Sequence, residues 1–279
     1  MSDGTDGPRD AKKAAPALHR SARRSLGRAR RALSRSAWYR SLGLGARHAK
    51  LRWNRRLDPA AWSDADPYEL RDVDPERIVY KQWNQTYGNV SIVYDDAYFE
   101  RIANINRVAG GDWDLQKNAF AENLTYRIIH EHFGQGVAWR ETQAFGIFLA
   151  LIRSGQPVWH RCRSEDDLLA RCARLERLRD DLRGGYRAGP RHAFDEITVN
   201  VGRDGDLLYN SDGAHRLSIA KVLGLPLVKA RVLVRHAAWQ AIREELLRVG
   251  AAGALSPRAK EHLGHPDLVD LVKIVERTP

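Results

Sequence analysis

Residues 197–235 read ITVNVGRDGDLLYNSDGAHRLSIAKVLGLPLVKARVLVR. Ile197-Thr-Val-Asn-Val201 alternates with the period of a strand, Arg203-Asp-Gly-Asp206 supplies a hairpin turn, and Leu207-Leu-Tyr209 returns. Ser211-Asp-Gly213 then turns the chain into a helix predicted over 214–223, which Gly224 stops. A third strand follows over 227–234. Beyond it, Trp239, Ile242 and Leu246 share one face of a helix predicted over 237–248. Ser256-Pro257 and His265-Pro266 each start a further helix, closing a C-terminal segment at 237–279. Strands and helices in this order predict an α+β fold with its core at 191–236.

Upstream, residues 99–190 read as helical. Phe120, Leu124 and Ile128 form one stripe that Gly134 ends, and residues 140–153 are apolar around Phe145, Phe148 and Ile152. Ser164 with Asp167 resembles a capping box, followed by Leu168, Cys172, Leu175 and Leu182 on one face up to Gly184-Gly185. Residues 58–98 hold a linker, with Asp58-Pro59 and the stretch up to Pro67, and then a short strand at Arg77-Ile-Val-Tyr-Lys81 after the turn at Asp74-Pro75.

The chain has 279 residues, 43% of them hydrophobic, enough for a sizeable core. No apolar run reaches the roughly 18 residues of a membrane span. The start lacks the apolar stretch of a secretory signal. Two cysteines, Cys162 and Cys172, are too few for a disulfide scaffold or a four-cysteine zinc site, and read as core or near-surface thiols. The expectation is a cytoplasmic protein.

The net charge of +11 is unevenly placed: residues 1–57 carry 16 Lys and Arg against 3 Asp and Glu, and residues 58–279 carry 30 against 32. Residues 1–57 are therefore a basic leader on a nearly neutral body. Its first 20 residues read as disordered. Over 21–44, Ala22, Leu26, Ala29, Leu33 and Ala37 recur at helical spacing with Arg24, Arg28, Arg31 and Arg35 mostly off that face. This is a solvated tail, or a helix that lies on an anionic membrane surface or on nucleic acid through residues 21–57. The membrane reading makes the protein peripheral at the inner membrane surface.

Asp212-Gly-Ala-His-Arg216 sits at the strand-to-helix junction. A glycine turn lets the backbone approach a ligand, and the helix start offers N–H groups to an anion. Arg216 adds a planar cation for phosphate oxygens, His215 a donor or acid–base group, and Asp212 a ligand for Mg²⁺ or a partner for the arginine. The structural alternative has Asp212 capping the helix and pairing with Arg216. Asp195-Glu196, just before the second strand at Ile197, supplies either an acceptor base or a solvated charge. Gly110-Gly-Asp-Trp-Asp114 reads in two ways: Asp112 and Asp114 bind Mg²⁺ or sugar hydroxyls, or Asp114 caps a helix over a packed Trp113. His130, Glu131 and His132 lack the spacing of a metal helix motif.

The 197–235 pattern resembles the ParB/sulfiredoxin superfamily: a hairpin, a Gly-x-[His/Arg]-Arg turn, an Ala-Lys helix ending Leu-Gly-Leu, and a closing strand. Arg71-Asp-Val-Asp-Pro-Glu-Arg-Ile78 also resembles that superfamily's first strand. The resemblance implies a mixed core with a large helical insertion at 99–190. Ala214 stands where sulfiredoxins carry their nucleophilic cysteine, which removes sulfinic acid reduction. Gly213, Ala214, His215 and Arg216 take the places of the CTP-binding Gly-Glu-Arg-Arg of partitioning proteins, whose helix-turn-helix domain is not expected within the residues after His236. Free serine kinases read Asp-Gly-His-His-Arg, which differs from Asp212–Arg216 at Ala214 alone.

The resemblance thus implies an ATP- or ADP-dependent phosphotransferase acting on a small hydroxylated acceptor. Gly213, Ala214, His215 and Arg216 would hold the nucleotide and Asp212 and Asp114 the Mg²⁺. Glu196, Asp112 and Asp212 are the expected catalytic carboxylates. The alternative is a nucleotide-responsive DNA- or membrane-surface-binding protein without turnover.

Overall fold

The computed structural model describes residues 49, 52–82, 86–87, 90–91, 105–159, 162–187, 196–210, 212–249 and 255–272. The chain divides into two units, residues 1–57 and 58–279. Of the first unit, residues 52–57 are helical with Trp53 and Leu57 exposed. The expected disorder over 1–20 and the basic helix over 21–44 lie outside the described residues.

In the second unit the strands are β1 (Arg71–Val73), β2 (Tyr80–Gln82), β3 (Thr86–Tyr87), β4 (Val90–Ser91), β5 (Arg107–Ala109), β6 (Lys117–Ala119), β7 (Ile197–Val201), β8 (Leu207–Tyr209) and β9 (Val228–His236). The helices are α1 (Leu124–Ile129), α2 (Gln143–Arg153), α3 (Glu165–Arg183), α4 (Ala214–Val222), α5 (Ala237–Val249) and α6 (Pro257–Glu261). Seven strands form one mixed sheet in the order β1-β9-β7-β8-β2-β6, with β5 also pairing with β9; β3 and β4 pair with each other. The β7–β8 hairpin is antiparallel, with Val199 opposite Tyr209. β9 runs parallel to β7, and β2 runs parallel to β8. β1 pairs antiparallel with the start of β9, and β5 pairs parallel with its end.

Period-two alternation in β7 and β8 sends Ile197, Val199, Val201, Leu207 and Tyr209 to one face of the sheet. There they pack against Leu217 and Ala220 of α4 and against Trp239, Ile242 and Leu246 of α5. α4 has a second apolar side: Ile219 joins Ile128, Phe145, Phe148, Leu168, Cys172 and Leu175, so α1, α2 and α3 form a helical layer against it. Thr142 and Ser164 cap α2 and α3, each hydroxyl accepting the backbone N–H three residues on. Both cysteines are buried, and burial pushes the Cys172 thiol up to about 12.

Residues 105–123 depart from the expected helix. They supply β5 and β6 and short 3-10 turns, and the helices of this segment begin at Leu124. Asp114 opens no long helix: Trp113–Leu115 is a single 3-10 turn.

The C-terminal segment is fastened by a buried ionic cluster. Asp267 accepts from Arg235 Nε (2.8 Å), Arg235 Nη2 (2.6 Å) and Trp239 Nε1 (2.9 Å). Arg243, fully covered, pairs with Asp64 and Asp270 at 2.7 and 2.8 Å. Arg71 reaches Asp270 at 3.1 Å. Burial opposes ionisation of Asp64, but Arg243 outweighs it and holds the carboxyl at about 2.

His265 borders this cluster, its Nε2 on Gly205 O and its Nδ1 accepting from Asp267 N. Burial holds its pKa down at about 4 against an ordinary 6.5. Between those values the unfolded chain takes up a proton that the folded chain refuses. Stability is therefore full above pH 6.5 and falls by about 3 kcal/mol as pH drops towards 4. Urea unfolding at pH 7 and pH 4.5 should show this slope, and His265→Asn, which keeps an acceptor for Asp267 N, should flatten it. An equal slope in the variant would assign it to other groups.

Candidate functional site

Because β2 and β8 are parallel, their carboxyl ends share one edge of the sheet, where β7 begins and α4 departs. Ligands of open sheets commonly bind beyond such ends. Asn210 N donates to Thr198 O (2.9 Å), Thr198 N to Asp212 O (3.1 Å), and Asp212 N to Thr198 Oγ1 (3.0 Å), so the strand pairing runs into the turn itself.

Gly213 forms the N-cap of α4 with φ +81°, and no side chain caps the helix. A Cβ here would lie 2.6 Å from Ile197 Cα and 2.8 Å from Ile197 N. The glycine is thus required twice, by its left-handed backbone and by the close approach of α4 to β7. Asp212 is not the cap. Ala214, His215 and Arg216 form the half-buried first turn. The His215 ring lies 5.7 Å from that of Trp159, tilted at 45°.

Arg216 Nη1 donates to Glu196 Oε2 at 3.1 Å, and the Tyr186 hydroxyl donates to the same oxygen. Glu196 is 1% exposed, so it is no solvated charge at a strand entrance. Burial, then the hydrogen bond to Glu196 and its charge, pushes the Tyr186 phenol well above its ordinary range and keeps it a donor. The arginine thus pairs with the carboxylate that directly precedes β7. Asp195 lies outside the described residues.

Asp112 and Asp114 do not join this group. Arg203, in the hairpin turn at the far end of β7, donates through its backbone N (2.8 Å) and Nε (2.9 Å) to Asp114 Oδ2. Its Nη2 reaches Asp114 Oδ1 (2.8 Å) and Asp112 Oδ1 (2.7 Å). Burial would raise the Asp114 carboxyl, and the Arg203 hydrogen bonds outweigh it and hold it low. The five residues of β7 and Gly202 separate Glu196 from Arg203, roughly 20 Å. The two aspartates hold the hairpin turn through Arg203. Among the described residues no three His, Cys, Asp or Glu side chains cluster as metal ligands would. Elsewhere, His132 pairs with Glu176 at 2.7 Å.

Three features at this edge went unnoticed in the sequence. Tyr186 directly follows Gly184-Gly185, read only as a helix stop. Lys81, in β2 beside Tyr209, is buried, and burial lowers its pKa. An amide ladder also backs the strands: Asn210 Nδ2 donates to Asn200 Oδ1 (3.1 Å), Asn200 Nδ2 to Gln82 Oε1 (2.7 Å), and Gln82 Nε2 to Trp113 O (2.9 Å). The alternation of Thr198 and Asn200 within β7 was the available signal. The arrangement offers helix N–H groups, a fixed guanidinium and a glycine turn on one rigid edge, which is chemistry suited to an oxyanion. Compared with family models, curated proteins and solved structures, the chain matches none of them.

Proposed function

We propose that the sheet and α4 form a ParB/sulfiredoxin-like core that binds the phosphates of ATP or ADP at the turn 212–216 and transfers a phosphoryl group to a small hydroxylated acceptor. One observation carries the reading: the uncapped start of α4 lies beside Arg216, whose guanidinium is oriented by the buried Glu196. Backbone N–H groups at a helix start favour anions, and a pre-positioned arginine loses little freedom on gripping them. Gly213, Ala214 and His215 would line the phosphates. Asp212 would hold Mg²⁺, which needs only one or two carboxylates when phosphates complete its shell. The ion would neutralise charge on the transferring group. Glu196, enclosed by two donors, would position Arg216; the acceptor oxygen would displace ADP or AMP from the phosphorus, and its proton would pass to Asp212 or to solvent.

The test is calorimetry on the full chain with ATP, ADP, CTP and GTP, each with Mg²⁺. One nucleotide is expected to bind, with affinity at least about 100-fold weaker in Arg216→Ala, because charge-assisted contacts contribute about 1.5–3 kcal/mol each. A folded Arg216→Ala variant with unchanged affinity would refute the site.

The charge of residues 1–57 favours a second reading, in which nucleotide binding controls attachment to DNA or to an anionic membrane without turnover. Retention of phosphoryl transfer on a soluble acceptor after neutralising those arginines would decide against it.

A further inference from the structure

We infer that the helical layer between β6 and β7 sets the grip of the α4 first turn, through two positioning residues that it contributes, Trp159 and Tyr186. The inference rests on the reading of 212–216 as a phosphate site.

Each residue reaches a different side chain of that turn. Tyr186, three residues beyond α3, donates its hydroxyl to Glu196 Oε2, the oxygen that also accepts from Arg216 Nη1. A carboxylate this deeply buried must be satisfied where it stands. The phenol fixes its rotamer, and the carboxylate then fixes the guanidinium. Arg216 keeps 23% of its side chain exposed, so part of it still faces solvent at the turn.

Trp159 carries φ +43°, a conformation that costs a bulky residue about 1–2 kcal/mol. Such strain persists only where the surroundings over-determine it, and it gathers at functional sites. Here the surroundings do so. The indole stacks on Phe148 at 5.1 Å, its Nε1 donates to Thr125 Oγ1 at 3.1 Å, and Val158 and Cys162 exchange backbone hydrogen bonds across the turn. The outcome of that strained turn is a ring set against His215. Both residues belong to the layer that packs on Ile219, the outer side of α4. A shift of the layer therefore displaces His215 and Arg216 together.

A double-mutant cycle on the full chain separates positioning from general stability. The nucleotide with the highest wild-type affinity, with Mg²⁺, is titrated into Tyr186→Phe, Arg216→Lys and the double variant, and the same is done for Trp159→Phe with His215→Gln. Tyr186→Phe is expected to weaken binding about 10-fold alone and less than about 2-fold in the Arg216→Lys background. Trp159→Phe should show the same dependence on His215. Equal losses in both backgrounds would mean a general structural effect and overturn the inference, as would wild-type affinity in both Tyr186→Phe and Trp159→Phe. Unchanged affinity in Arg216→Lys and His215→Gln would instead remove the phosphate site, and the inference with it. If Tyr186→Phe does not fold, the Trp159 cycle decides.

Discussion

Replacing Asp267 with asparagine is expected to cost the folded chain about 3–5 kcal/mol and to lower its thermal midpoint on the order of 10 °C. Asp267 is 1% exposed and lies among Arg235, Arg243 and Arg71. Burial opposes its ionisation, yet those three cations hold its carboxyl well below the usual range. Asparagine has the same shape but no charge, so it leaves the arginines with less compensation in a region closed to water. An uncompensated buried charge is the expensive outcome, more so than loss of the pair as such. Arg258→Ala is the contrasting case. That residue pairs with Asp204 at 3.0 Å, but the two side chains are 47% and 72% exposed, and the change should cost under about 1 kcal/mol. Denaturant titration of both variants checks the pair. A cost below about 1 kcal/mol for Asp267→Asn would mean that water screens the cluster. The consequence reaches beyond Asp267, since domains of this kind hold only about 5–15 kcal/mol in total.

The parts of the fold that sequence made legible are those whose signal is local. β7, the hairpin turn, β8 and α4 follow one another in a single stretch, and each has its own periodicity and its own glycine stop. Ser164 and Ser256 cap the helices they were expected to start. β5 and β6 were hidden because each has three residues and no alternation long enough to register. Arg107-Val-Ala and Lys117-Asn-Ala become strands only because β9 and β2 offer them partners. Thr198 and Asn200 illustrate the other limit. Polar residues that alternate with apolar ones ordinarily face water, yet in β7, between antiparallel β8 and parallel β9, both are buried and tied to Asp212 and Gln82.

The candidate site divides in the same way. Gly213 and Arg216 could be singled out because turn, helix start and cation are adjacent in sequence. Their partners could not. Glu196 is 20 residues from Arg216, Tyr186 is a further 10 away, and Arg203 finds Asp114 across 89 residues. Spacing carries no information about pairs that the sheet brings together. Two aspartates flanking a tryptophan look alike whether they hold a metal or an arginine, until the hairpin beside them is placed.

Gly213→Ala is expected to destabilise the chain by about 3 kcal/mol or more, the second large effect. Gly155→Ala supplies the comparison, since both glycines have φ near +80° and a Cβ at Gly155 meets nothing within 4 Å. Alanine at Gly155 therefore feels the left-handed backbone alone, about 1–2 kcal/mol. Alanine at Gly213 feels that penalty and also a contact of 2.6 Å with the Ile197 backbone, which has no side-chain freedom with which to yield. The difference between the two variants in denaturant titration measures how closely α4 sits on β7. Equal costs would mean that the helix can lift away from the strand freely. A lifted helix has a second consequence, because Ile197 is the neighbour of Glu196. Any movement of α4 that accommodates the new methyl group lengthens the 3.1 Å contact between Arg216 and Glu196. If the turn at 212–216 binds nucleotide as proposed, affinity should fall wherever Gly213→Ala still folds, whereas Gly155→Ala should leave it at the wild-type value. Equal affinities in the two variants would separate the packing of α4 from the grip of its first turn.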